Sequence, residues 1–83
     1  MHGLLDDASL PTDIEGLEAQ ITDVRQRQEQ CLARIRELMD AEDPARGIYH
    51  AAAIHEARQL KMMLKYQHDV RVAKRNRLRM GPE

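Results

Sequence analysis

The chain has 83 residues with no Trp or Phe, a formal net charge of −1 and a single cysteine, Cys31. These properties limit it to one domain with a small aliphatic core, exclude a disulfide framework within the chain, and argue against a generic polyanion binder. No apolar run approaches the roughly 20 residues that span a bilayer. Because an unpaired cysteine suits a reducing compartment, we expect a cytoplasmic protein.

The first predicted element is a long helix that follows an acidic leader. We expect residues 1–11 to form a flexible leader and the helix to run from about residue 12 to residue 41. Thr12 and Glu15 match a capping box, in which a hydroxyl and a carboxylate each accept a hydrogen bond from a free backbone N–H. Apolar residues then recur at steps of three and four, the a/d spacing of a coiled coil, with one polar break at Gln28. They are Ile14, Leu17, Ile21, Val24, Cys31, Ile35 and Leu38.

A turn and a second helix come next. The segment DAEDPARG interrupts the apolar pattern with Asp-Pro and Gly, so we predict a turn over about residues 42–47. A second helix is expected over about residues 48–79, and residues 81–83 form a C-terminal tail. Two helices joined by a short turn pack against each other in opposite directions. The sequence therefore predicts an all-α, antiparallel two-helix hairpin over residues 12–80, similar to a coiled coil.

The seam, meaning the apolar contact between the two helices, has a predicted register. If facing residues have index numbers that sum to 95, Leu60 and Leu64 face the first helix and complete the seam. Gln28 then lies opposite Gln67, where two amides meet and a hydrogen bond would fix the register.

The second helix carries more apolar residues than one neighbouring helix can cover. Four of them define a predicted partner face: Met62, Met63, Tyr66 and Val70. Methionine packs adaptably, and tyrosine is enriched at the energetic centres of interfaces. We expect this face to be covered by a second copy, which would complete a four-helix bundle as a homodimer, or by another protein.

The end of the second helix, VRVAKRNRLR at residues 70–79, contains five cations and no acid. These are Arg71, Lys74, Arg75, Arg77 and Arg79. Residues 1–43 carry a net charge of −7 and residues 44–83 carry +6, so a hairpin brings the cations beside an acidic helix start. We favour internal charge pairing. The alternative is a nucleic-acid-binding or phosphate-binding module, but no aromatic residue lies among the arginines and no DNA-binding motif is present.

No pattern in the sequence indicates catalysis. Cys31 occupies a core position, where a small and inert thiol is the usual outcome. His50 and His55 lie about 140° apart around a helix, too far for one metal ion. Nucleotide-binding loops and nucleophile motifs are absent from the sequence. We therefore predict a protein that is not an enzyme and binds no metal or cofactor.

A row of residues on the second half of the chain carries a resemblance. Asp43-Pro44 lies in the turn, Tyr49 opens the second helix, and the row Ala53, Ala57, Leu60 and Leu64 follows. In outline this resembles the small helical-hairpin co-chaperones of type III secretion needle subunits, over about half of the chain. The resemblance implies two helices, a tight turn and a chaperone as partner. Small phage-encoded inhibitors share this architecture. An adaptor, a co-chaperone, an inhibitor and a small structural component of a secretion apparatus or phage particle therefore all stay open.

Overall fold

The computed structural model describes residues 10–81 and consists of two helices. Helix α1 spans Ile14–Asp40, a short 3₁₀ turn spans Pro44–Arg46, and helix α2 spans Ala51–Met80. The helices run in opposite directions and pack against each other, so the all-α hairpin is confirmed. Residues 1–9 of the expected leader and residues 82–83 of the expected tail lie outside the described residues. Within the described part, neither helix has an apolar stretch that could cross a membrane.

Helix α1 is capped by Asp13 and not by Thr12. Asp13 has an extended backbone, and its carboxylate accepts a hydrogen bond of 2.9 Å from the backbone N–H of Gly16. A Cβ atom on Gly16 would lie 2.9 Å from the Asp13 carboxylate and 3.0 Å from Pro11, so glycine permits this close approach. Leu10 is only 5 % exposed. Apolar packing thus begins before the helix, inside the segment that the sequence assigned to the leader.

The turn is longer than predicted, because residues 43–48 form a closed loop. Asp43 and Ile48 exchange two backbone hydrogen bonds, each of 2.9 Å. Gly47 closes the 3₁₀ turn with a φ of 70°, a left-handed conformation that favours glycine. The carboxylate of Glu42 accepts a hydrogen bond of 3.1 Å from the backbone N–H of His50. Since the Asp43–Ile48 pairing keeps residue 48 out of a helix, α2 begins at Ala51.

The seam is rich in buried side chains from α1 and poor in them from α2. Its buried apolar residues on α1 are Leu17, Ile21, Val24, Cys31, Ile35 and Leu38, while Ile14 is half-buried. On α2 only Ile54 and Leu64 are both apolar and buried. Leu60 was predicted to lie in the seam, but its side chain is 47 % exposed. Ile54 takes a place in the core that the predicted seam did not include.

The centre of the core is a cluster around Cys31. Val24, Cys31, Ile35 and Leu64 are all buried there, and Ala57 packs against them. The thiol of Cys31 donates a hydrogen bond of 3.0 Å to the backbone carbonyl of Ala57. The thiol is therefore satisfied within the core, and it links the two helices near the turn.

We predict that Asp13→Ala destabilises the hairpin by about 1 kcal/mol, because the N–H of Gly16 loses its acceptor. Thr12→Ala is the matched control, since Thr12 is exposed and does not cap the helix. Urea unfolding followed by circular dichroism, at one fixed protein concentration, measures both. An equal loss for the two variants would contradict the assignment of Asp13 as the cap.

We predict that Leu64→Ala lowers the free energy of unfolding by about 2–4 kcal/mol, because it opens a cavity in the core cluster. Leu60→Ala removes the same atoms from a side chain that is 47 % exposed, and we expect it to cost less than about 1 kcal/mol. The same urea titration compares the two leucines. If Leu60→Ala were the more damaging change, the assignment of Leu64 to the core and of Leu60 to the surface would be wrong.

Candidate partner-binding surface

The partner face lies on the side of α2 that points away from α1. Met62 is 72 % exposed, Met63 51 % and Tyr66 49 %, and Val70 is half-buried. Helix α1 leaves about half or more of the Met62, Met63 and Tyr66 side chains exposed. The structure thus brings Met62, Met63 and Tyr66 together as an exposed apolar surface, and Val70 lies at its edge. A surface of this kind on a small domain commonly marks a contact with another macromolecule.

Exposed apolar residues are concentrated on α2. Large exposed apolar side chains there are Leu60, Met62, Met63, Tyr66, Leu78 and Met80, whereas α1 exposes only Leu32 and Met39. The side chains that α1 turns to solvent elsewhere are polar or small. Of the two helices, α2 therefore has the larger number of exposed large apolar side chains.

An open groove of about 560 Å³ lies beside the partner face, between the two helices. Leu32 on α1 and Met62 on α2 are its two large apolar side chains. Polar residues surround them: Arg25, Gln28, Glu29, Lys61, Lys65, His68 and Asp69. The groove can therefore accept an apolar side chain that has polar neighbours.

A short polar network forms one wall of this groove. Lys65 Nζ donates to Asp69 Oδ2 at 2.8 Å, and His68 Nδ1 lies 3.1 Å from Asp69 Oδ1. Arg25 Nε donates to His68 Nε2 at 3.4 Å, so the His68 proton belongs on Nδ1. The hydrogen bond from Lys65, followed by the one from His68, lowers the pKa of Asp69, and the same pairing with Asp69 raises the pKa of Lys65. Both groups therefore stay charged at neutral pH, and they mark a hydrophilic edge beside Met62.

Three cations at the basic end of α2, Arg71, Arg75 and Arg79, contact side chains of α1. Arg71 and Lys74 are each only 9 % exposed. Arg71 Nε donates to the Gln20 side-chain oxygen at 2.9 Å, and its Nη1 donates to the backbone carbonyl of Gln67 at 2.9 Å. The guanidinium is thus held by neutral oxygens inside the seam. Sequence reasoning missed Gln20, because an exposed-looking glutamine between apolar positions gives no signal of its partner.

Glu18 gathers two further cations. Arg79 Nη2 donates to Glu18 Oε2, and Arg75 Nη1 lies 3.9 Å from the same oxygen. Lys74 and Arg77 also have interaction partners. Two of the five cations of residues 70–79 thus pair with one carboxylate of α1, whereas Arg71 binds neutral oxygens.

Gln28 and Gln67 do not form the predicted amide pair. Both are half-buried, but the hydrogen bond that crosses this part of the seam joins Arg71 to Gln20. The backbone of Gln67 takes part only as an acceptor for Arg71. The polar contact across the helices is consequently displaced from Gln28 toward the start of α1.

A smaller groove of about 290 Å³ lies above the core cluster on the opposite side of the hairpin. Cys31, Ala57 and Leu64 contribute to its lining, with Arg27 and Arg34 among its other residues. The Cys31 thiol is buried and bonded to Ala57, so this groove presents no reactive group. Among residues 10–81, no three His, Cys, Asp or Glu side chains come together in a metal-binding arrangement.

Comparison of the chain with protein-family models, with curated proteins and with solved structures gives no match. We therefore infer function from the surface of the hairpin.

We predict that Gln20→Ala destabilises the hairpin by about 1–3 kcal/mol, because it leaves the buried Arg71 Nε without an acceptor. The double variant Gln20→Ala, Arg71→Met removes both polar partners, and together with wild type and the single variants Gln20→Ala and Arg71→Met it completes a double-mutant cycle. We expect the double variant to be less destabilised than the sum of the two single variants. Urea unfolding of all four proteins gives the coupling free energy. Strict additivity would show that the contact across the seam contributes nothing.

Proposed function

We propose that the chain is a non-catalytic protein–protein interaction module, an adaptor, co-chaperone or inhibitor, that binds by packing the partner face of α2 against another helix. One observation carries the proposal: Met62, Met63 and Tyr66 are exposed together on the side of α2 that α1 cannot cover. In a stable monomer such apolar side chains are normally scattered and not gathered on one helix.

The chemistry of these side chains suits a helical partner. Methionine is flexible and polarizable, so it adapts to the contours of a facing helix. Tyrosine offers a large apolar ring together with a hydroxyl that stays hydrated at the rim. Residues at steps of three and four on one helix dock naturally into a groove or against another helix. The single free cysteine, which is buried, supports a reducing compartment such as the cytoplasm as the setting.

Phosphate binding has less support than helix packing. Arg71 and Lys74 are buried, and Arg75 and Arg79 both approach Glu18. A polyanion would have to compete with these contacts for the guanidinium groups. A protein partner at the opposite face of α2 requires no such exchange.

Site-specific photocrosslinking tests the proposal in the cells that make the protein. A benzophenone amino acid at Tyr66 is expected to give covalent adducts with another protein chain, whether a second copy or a different protein. The same probe at Thr22, an exposed position on α1, is the control and should give few adducts.

A matched pair of substitutions sharpens this experiment. Met63→Glu places a charge in the proposed contact and should abolish the Tyr66 adducts. Met39→Glu introduces the same charge on α1, at a methionine that is 50 % exposed, whereas Met63 is 51 % exposed. This control variant should leave the Tyr66 adducts intact. Adducts that are equally abundant at Tyr66 and Thr22, or absent at both, would overturn the proposed function.

A further inference from the structure

We infer that the occupant of the partner face is a second copy of the chain, with α2 packed antiparallel against α2 across a twofold axis. This inference rests on the proposed function, since it uses the same face and adds the identity and orientation of the partner. The result would be a four-helix assembly in which the two α2 helices form the centre and the two α1 helices lie outside.

The exposed side of α2 carries a second coiled-coil pattern. Its members follow steps of three and four, and we name them the outer stripe: Met63, Tyr66, Val70, Ala73, Arg77 and Met80. The seam of the same helix faces α1 through Leu64 and Arg71. A helix with apolar positions on two opposite sides is typical of the interior of a bundle, where it has a neighbour on each side.

A second copy offers one apolar surface that matches this stripe. The outward side of α1 is polar or small, with exposed residues Glu15, Ala19, Thr22, Gln26, Glu29, Ala33 and Asp40. Packing α2 on the α1 of a copy would therefore set apolar side chains against charged ones. Packing α2 on the α2 of a copy sets the same stripe against itself, which is the self-complementary contact that twofold symmetry requires.

Charge selects the antiparallel orientation. A parallel pair would bring the five cations of residues 70–79 alongside the same five in the copy. An antiparallel pair separates the two basic ends and brings each one beside the first half of the other α2. That half carries Arg58, Lys61 and Lys65 with one acid, Glu56, so the repulsion between the copies is smaller than in a parallel pair. Arg77 then lies near Gln59 and Glu56 of the second copy, so an acid replaces a like charge at this position.

Side-chain size gives the register. If facing residues of the two copies have indices that sum to 136, Met63 faces Ala73 of the second copy and Tyr66 faces Val70. Each large side chain then meets a smaller one, so the two stripes interdigitate without a gap. Arg77 faces Gln59 in the same register, and the twofold axis passes between the central layers.

The contact has an area near the minimum for a specific interface. In this register the facing residues run from Glu56 to Met80, which is about 36 Å at about 1.5 Å per residue, and the contact is roughly one helix wide. Such a strip removes on the order of 500 Å² from each copy, or about 1,000 Å² in total, the low end of specific protein interfaces. We therefore expect a dimer that dissociates on dilution into the micromolar range.

Cysteine crosslinking distinguishes the orientations. In a Cys31→Ser background, which keeps a hydrogen-bond donor at residue 31, two proteins are made, one with Met63→Cys and one with Ala73→Cys. Each is oxidised with glutathione disulfide, alone and as an equal mixture, and the products are identified by intact mass. The antiparallel register predicts mixed disulfide dimers that join residue 63 to residue 73, and few dimers of either protein alone.

Two results would overturn the inference. Efficient dimers of each protein alone, without mixed dimers, would indicate a parallel pair. No disulfide dimers in any sample would indicate that the stripe does not meet a second copy. Circular dichroism of each variant checks that it is folded, so that a loss of structure is not read as a loss of contact.

Sedimentation equilibrium of the unsubstituted protein provides evidence that needs no engineered cysteine. We expect a monomer–dimer equilibrium that Met63→Glu weakens by roughly tenfold or more and that Met39→Glu leaves unchanged. A protein that stays monomeric at every concentration would contradict the inference. If Tyr66 still formed adducts with a different protein in cells, the proposed function would stand and the second copy alone would be wrong.

Discussion

Each helix of this hairpin has a single neighbour, so it can cover one stripe of that neighbour's side chains and no more. The core is correspondingly thin, and among residues 10–81 Leu17 is the one large side chain that is fully buried. The remaining apolar residues of α2 have nothing within the described chain to cover them. A hairpin 61 Å long and 16 Å in its shortest dimension is nearly all surface, and its stability depends strongly on the few side chains at the seam.

The seam changes character along its length. Near the turn it is apolar, with the cluster around Cys31 and the thiol bonded to α2. Farther from the turn, α2 contributes two buried cationic side chains, Arg71 and Lys74. Their long aliphatic stems suit such a position, and the Arg71 guanidinium donates to oxygens of Gln20 and Gln67. A buried guanidinium held by neutral oxygens adds little net stability, but it strongly disfavours a register in which it would be unpaired. We therefore regard the contact between Arg71 and Gln20 as a feature that selects one alignment of the helices.

The sequence predicted α1 better than α2, and the reason is physical. Helix α1 has one apolar stripe and polar residues elsewhere, so only one rotation buries its apolar side chains. Helix α2 has apolar residues on several sides, which makes its rotation ambiguous: Leu60 was expected in the seam, and Ile54 occupies it. The cap was placed one residue early, because Thr12 and Asp13 are both good capping residues and only the backbone at Pro11 and Gly16 decides between them.

The excess of apolar residues on α2 made its rotation about its own axis hard to predict. The same excess made the exposure of the partner face predictable. A helix with an excess of apolar residues leaves some of them uncovered by a single neighbour, whichever way it turns. Counting the apolar residues of α2 was enough to predict that some of them stay exposed. Locating the groove beside Met62 required the positions of both helices. The partners of Arg75 and Arg79 likewise depended on where Glu18 lies in three dimensions.

The seam and the proposed partner face lie on opposite sides of α2. One side of α2 packs against α1, and the other side carries the proposed partner face. Because both sides belong to one helix, binding at the partner face would be coupled to the stability of the seam. Covering the outer stripe would stabilise α2 and thereby the seam, because binding to the folded state alone shifts the folding equilibrium toward it. A complex with an interface of modest area also dissociates readily. Only the interaction free energy that exceeds the entropic cost of association contributes to its affinity.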